Sequence, residues 1–164
     1  MQIAHRDAFT VVGIPVRASW QDLWTVMPAT WEQFAARASE IAHRSNDLFL
    51  DVSLEQAQGQ YLQLVCAEVS RVEQVPQGMI AVEIPSQSYL YHRHTGDLAG
   101  IAESFGAIYA WAEERGEAAS SFKLDIGYGA VDQAHELYVG LLPAKAWRRV
   151  SGQDVVGPSG ADSW

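Results

Sequence analysis

The sequence is short of several things, and each shortage removes a class of protein. Cys66 is the single cysteine in 164 residues, so no disulfide can form within the chain. Its apolar strand context points to a reduced, buried thiol. Basic residues are also scarce, with 11 Lys and Arg against 20 Asp and Glu, which leaves a formal charge of -9. No basic cluster exceeds Trp147-Arg148-Arg149. A field of that sign repels nucleic acid and draws cationic partners. Long apolar runs are missing, and the opening MQIAHRDAFTVV has neither the charged and apolar halves of a secretion leader nor an Arg-rich amphipathic pattern. The expectation is a cytoplasmic chain that touches neither membrane nor nucleic acid. No glycine-rich phosphate loop occurs, and no Ser-His-Asp or Cys-His set carries a nucleophile signature.

What is present is a regular alternation of strand and helix patterns. AFTVVGIPVRA (8–18) is β-branched and ends at Ser19, a residue type that caps helices. From Trp20 to Arg44 apolar residues return at three-and-four spacing, with Pro28 predicting a break near Met27 and a fresh start around Thr30. LFLDVSL (48–54) and YLQLVCAEVS (61–70) read as two strands about the polar turn EQAQGQ. IAVEIPSQSYLYHRHT reads as one strand with an edge position or bulge at Pro85. A second helix runs from Asp97 to a glycine stop at Gly116, and FKLDIGYG (122–129) and HELYVGLLPA (135–144) are two further strands.

The order strand, helix, strand, strand thus occurs twice, with a period of about 80 residues. The predicted fold class is α+β: two βαββ repeats form one antiparallel sheet arrangement, with both helices on one face and a ligand cleft on the other. The domain is expected over residues 1–146, with halves at about 8–70 and 79–144, and residues 147–164 as a flexible Gly, Ser and Asp-rich tail.

Several segments together resemble a known family: FTVVGIPVRAS, CAEVSRVEQVPQGM, YLYHRHTGDLAGIAESFGAIYAWAEERG and HELYVGLLP. Their order and spacing are similar to those of the GyrI-like small-molecule-binding domain, the effector-binding domain of several multidrug-responsive transcription regulators. The resemblance covers about residues 8–144. It departs from the family at Val65-Cys66-Ala67-Glu68, where a glycine often precedes the acidic residue. The helix-turn-helix of the regulator members would stand before the first strand, where only residues 1–7 lie, so a stand-alone form is expected. The resemblance implies a pocket role for the acid of the last strand, Glu136, able to meet a cationic ligand.

The residues themselves leave alternatives. Glu136 shares a strand face with Tyr138 and Gly140, and a carboxylate among rings either raises its pKa or recruits a cation; it could equally be a solvated partner of Lys123 or Arg93. Glu68 shares a face with Leu64 and Cys66, as a site residue or as a bonded structural carboxylate. By the internal repeat it occupies about the place of Glu136. Tyr89 and Tyr91 share one strand face, and Trp111 lies off the apolar centre of its helix. Trp111 is therefore expected to wall the cleft together with Tyr89, Tyr91 or Tyr138, while Trp20, Trp24, Trp31, Phe105 and Tyr109 are expected in the core. His92 and His94 stand two apart on one strand without a third ligand of matching context, so no metal, haem or other cofactor is expected.

The function that follows is binding of a lipophilic, aromatic or cationic small molecule between the two halves. Two other classes use the same parts. Some stand-alone relatives of the resembling family hydrolyse strained, cyclopropane-type electrophiles, which would make Glu136, Glu68 and Tyr89 catalytic. A protein-partner role, such as inhibition of DNA gyrase or docking on a separate regulator, is the third.

Overall fold

A computed structural model describes residues 1–130, 133–151 and 154–156. Two strands open the chain, β1 (Gln2–Arg6) and β2 (Phe9–Ser19). The helix α1 (Trp20–Arg37) starts where Ser19 accepts the Asp22 amide at 3.3 Å. It runs straight through Pro28, without the expected break. Pro28 lies on the exposed side, so the Trp24 carbonyl it leaves unbonded faces water rather than a core.

β3 (Arg44–Ala57) and β4 (Gln60–Val69) form a hairpin. Gln58 and Gly59 at its tip both take positive φ, 54° and 75°, the two-residue turn that suits strand twist. The segment expected as a single strand with an edge position or bulge at Pro85 is two strands, β5 (Ile80–Ile84) and β6 (Gln87–His94), which lie in different halves of the sheet. Pro85, with no amide hydrogen to give a ladder, falls at the break.

Asp97 then caps a single 3₁₀ turn, its carboxylate accepting the Gly100 amide at 3.1 Å, and α2 (Ile101–Arg115) follows and stops at Gly116 with φ 69°. β7 (Ala119–Tyr128) and β8 (His135–Leu141) complete the second half.

Among the described residues one sheet of ten strands is formed, in the order β1-β6-β8-β7-β3-β4-β2-β5-β9-β10. The last two are β9 (Arg148–Ser151), paired to β5, and β10 (Asp154–Val156), paired to β9. The described part of the expected tail therefore enters the sheet instead of hanging free, and its first residue, Trp147, is 4% exposed. Residues 152–153 and 157–164 of that expectation lie outside the described residues.

The strand order carries the repeat. β6-β8-β7 of the second half meets β3-β4-β2 of the first head to head, so the β3–β7 junction lies on the pseudo-two-fold between halves. The sheet is also rolled. β1 and β2 sit far apart in it, yet only Asp7 and Ala8 connect them. Arg6 on β1 reaches to 3.7 Å from Glu68 on β4, although β6, β8, β7 and β3 stand between; a flat sheet would separate those strands by about 24 Å.

The two faces follow from that curvature. The inner face closes on an apolar cluster that includes Leu50, Val52, Leu64, Tyr89, Phe122 and Trp147. Both helices pack on the outer face, α1 through Phe34 over Val65 and Ala67, and α2 through Ile108 and Ala112 over Leu137 and Val139. The α+β repeat architecture is thus present as expected, but the face opposite the helices is largely filled. Open space lies on the helix side instead, over the part of β3 and β7 that carries Asp51 and Asp125, while at one end of the junction α1 covers both strands, Phe34 against Phe49 and Trp31 against Tyr128. Among the described residues no helix is long and apolar enough to cross a membrane.

Candidate functional site

The gap between the helices is a cleft of about 390 Å³. α1 supplies Trp20, Leu23, Trp24 and Met27 to one wall. Leu98, Ile101 and Phe105 form the other. Trp20 and Trp24, which the periodicity assigned to the core, are 55% and 69% exposed, and Leu98 is 60% exposed. The three-and-four spacing holds, and Leu23 does pack on Val16 and Ala18 of β2, but Trp20 and Trp24 flank that contact and face the gap between the helices. The two indoles meet edge to face with centroids 5.7 Å apart, and Trp20 leans on Tyr61 at 5.6 Å. Large rings left in water at a concave site are available for a ligand.

The floor is polar. Asp51 on β3 and Asp125 on β7 stand directly opposite each other in the ladder. Ser53 and Lys123 form the next same-face pair, and Gln63 on β4 faces Ser53. The two acids are held differently. Asp125 has both oxygens engaged: one with His135 Nδ1 at 2.6 Å, the other accepting from the Tyr128 hydroxyl at 2.8 Å. Asp51 accepts at Oδ1 from Gln63 Nε2 at 3.1 Å, and no hydrogen bond reaches Oδ2 from the described residues. Gln63, 9% exposed, leaves its Oε1 buried and unpartnered among the described residues.

Burial and the facing Asp125 push Asp51 up to about 7, against the opposing pull of Gln63 and Lys123. Asp125 is raised by burial too, though its bonds to His135 and Tyr128 work the other way. Burial lowers Lys123 from the ordinary lysine range.

Neither floor acid was singled out by sequence reading, and a signal for them existed. LFLDVSL and FKLDIGYG each place one aspartate inside an apolar strand, as Leu-Asp-Val and Leu-Asp-Ile. Register confirms that these are the repeat-related acids: Val65 lies across from Asp51 and Leu137 across from Asp125. Glu136, next to Leu137, therefore corresponds to Leu64, and not to Glu68 as the repeat suggested.

The residues named from sequence fall elsewhere, and all but Trp111 gather in one place on the inner face. Tyr91 donates its hydroxyl to Glu136, and Arg93 lies 3.9 Å from the same carboxylate. Tyr138 packs against Tyr91 and Tyr89 at 5.0 and 5.4 Å. Tyr89 is fully buried and accepts from Gln87 Nε2 at 3.0 Å. Arg6, absent from the sequence reading, ties the group together. It bonds the Tyr138 hydroxyl at 3.3 Å, lies 3.7 Å from Glu68 and stacks over Phe9 and Tyr138 at 4.8 and 5.0 Å. The position between rings and carboxylate that a cation would take is filled by the chain's own guanidinium. Burial, helped by the hydrogen bond to Glu136, holds Tyr91 up at about 12.

Trp111 packs with the α2 cluster and under Arg115 at 4.6 Å, away from the cleft. His94 is buried, with Ser104 Oγ and the Asp97 carbonyl each 2.8 Å from a ring nitrogen, so it is a structural histidine. Among the described residues no group of three or more His, Cys, Asp or Glu is placed to hold a metal.

The family model of Cass2, an integron-associated effector binding protein, matches residues 2–141. The chain belongs to this family. The transcriptional regulator BrlR of Pseudomonas aeruginosa is 33% identical over 110 residues, which is 66% of this Cass2-family chain but 40% of BrlR. Solved structures share the fold at low identity. SAV2435 bound to tetraphenylphosphonium matches with a TM-score of 0.69 at 10% identity, over 87% of this chain and 93% of that one. The integron cassette protein VCH_CASS2 from the mobile metagenome of Vibrio cholerae gives 0.66 at 14% identity, over 85% and 94%. The EcmrR C-terminal domain gives 0.63 at 10%, over 85% and 95%.

Proposed function

We propose that this Cass2-family protein binds lipophilic organic cations in the cleft between α1 and α2, with Trp20 and Trp24 against the aryl groups and Asp51 as the counter-charge. The observation that carries the reading is the exposed indole pair over a floor carboxylate with a free oxygen. An aromatic cation gains from ring contact and charge together, and a partly desolvated acid rewards it more than a surface acid would. The -9 net charge supports capture of such a ligand, as does the tetraphenylphosphonium held by SAV2435 on the same fold. The inner-face group of Glu136, Glu68, Tyr89, Tyr91 and Tyr138 serves in this reading to hold β1 and β8 together through Arg6. Effector sensing is the biological role this reading implies.

Titration of the protein with tetraphenylphosphonium and with neutral triphenylphosphine oxide, followed by tryptophan fluorescence, tests it. The reading requires saturable quenching with the cation bound at least tenfold tighter than the neutral compound. Equal affinity for both, or no quenching by either, would contradict it.

A further inference from the structure

The floor of the cleft holds two carboxylates where the ladder places their strands side by side, on the axis that relates the halves. Two acids so placed cannot both ionise cheaply, and the lower cost falls to whichever is better bonded as an anion. Asp125 is that one, since His135 and Tyr128 take both its oxygens. Asp51 has one amide bond and one free oxygen.

We propose that the cleft takes up its organic cation in exchange for a proton, which the Asp51–Asp125 pair holds on Asp51 and releases as the cation arrives. The inference rests on the reading of the cleft as a lipophilic-cation site. Charge balances across the step. The free floor carries one proton on two carboxylates; the occupied floor carries two carboxylates and one fixed positive charge, with the proton given to solvent.

The surroundings of Asp51 leave it as the group that responds. β7 presents Asp125 and Lys123, with His135 of β8 behind Asp125. β4 presents the uncharged Gln63, and Cys66 belongs to the apolar cluster on the sheet's other face. The helical walls present Trp20, Trp24, Met27 and Phe105, none of which titrates, and the phenols of Tyr61 and Tyr128 complete the rim. Burial of the Cys66 thiol holds it well above its ordinary range, and burial and Asp125 do the same for Tyr128. Gln63 fits the exchange, because its unpartnered Oε1 can accept from a protonated Asp51 after a turn of the amide, while its NH₂ serves the ionised form.

The experiment is calorimetric titration with tetraphenylphosphonium, which carries no titratable proton. It is run at pH 6 and pH 8, at each pH in two buffers of different ionisation enthalpy. With Asp51 near 7, release of about nine-tenths of a proton is expected at pH 6 and about one-tenth at pH 8, with Kd about tenfold tighter at pH 8. In Asp51→Asn the release is lost and the affinity no longer depends on pH, whereas Glu136→Gln, on the inner face, releases like wild type. Binding without proton release at pH 6 overturns the exchange and leaves the cation reading intact. Release that survives in Asp51→Asn, or that disappears in Glu136→Gln, also overturns it. Absence of binding in any condition removes the cation reading itself.

Discussion

At the scale of single residues, Asp51 sets the properties of the ligand-free protein. A carboxyl whose folded pKa lies above its ordinary value takes up a proton on folding, so its contribution to stability falls as pH rises from about 4 to 7. Asp51→Asn should therefore raise the melting temperature at pH 8, by the equivalent of about 1–2 kcal/mol, and change it little at pH 5. Melting curves across that range check the sign; a variant equally shifted at both pH values would mean that the carboxyl is solvated. The tryptophans give the matching prediction for binding. Trp24→Ala should weaken tetraphenylphosphonium by about 1–2 kcal/mol, and Trp111→Ala should leave it unchanged, as paired fluorescence titrations would show.

Residue type and strand face were legible in the sequence: Glu136 with Tyr138, Glu68 with Cys66, and Tyr89 with Tyr91 do share faces. What those faces look onto was not legible. Alternation says which side chains agree with one another, and only the rolling of the sheet decides which side is filled. Arg6 was invisible for the same reason, since its partners lie 62 and 132 positions away along the chain.

At the scale of elements, the helices and hairpin were readable from their ends, at Ser19, Asp97, Gly116 and the Gln58-Gly59 turn. Two departures both involve proline. Pro85 reads as an edge position or a bulge within one strand, but the chain there leaves β5 in the first half of the sheet for β6 in the second, a change of partner that no local pattern records. Pro28 predicts a break, yet α1 continues, held on either side by Leu23 and Phe34 in separate apolar clusters and by the Thr30 hydroxyl bond to the Val26 carbonyl at 2.9 Å. Tertiary packing outweighs the lost hydrogen bond. Pro28→Ala should consequently stabilise the protein by about 1–3 kcal/mol in chemical denaturation. A loss of stability would show that the proline fixes a bend the packing depends on.

At the scale of the whole molecule, the internal repeat explains why a cleft exists where it does. Each half packs its helix on its own strands, and the two halves meet through β3 and β7, whose outer faces are polar at Asp51, Ser53, Lys123 and Asp125 in the gap between the helices, while Phe34 and Trp31 of α1 cover Phe49 and Tyr128 at one end. Rolling of the sheet shuts the inner face, and the C-terminal segment helps to close it: Trp147 joins the inner apolar cluster and Arg148 pairs with Glu83 on β5. Trp147→Ala should cost about 3–5 kcal/mol of stability, against nearly none if this segment were loose, and urea unfolding would measure it.

On the proposed reading the helix side of the junction, and not the inner face, receives the ligand. The most direct measurement is a crystal structure of the protein with tetraphenylphosphonium bound. The phosphonium should lie between α1 and α2, with aryl groups within about 6 Å of the Trp20 and Trp24 ring centroids and Asp51 as the nearest carboxylate. A ligand found instead on the inner face, with Arg6 displaced and Glu136 or Glu68 against the cation, would contradict it.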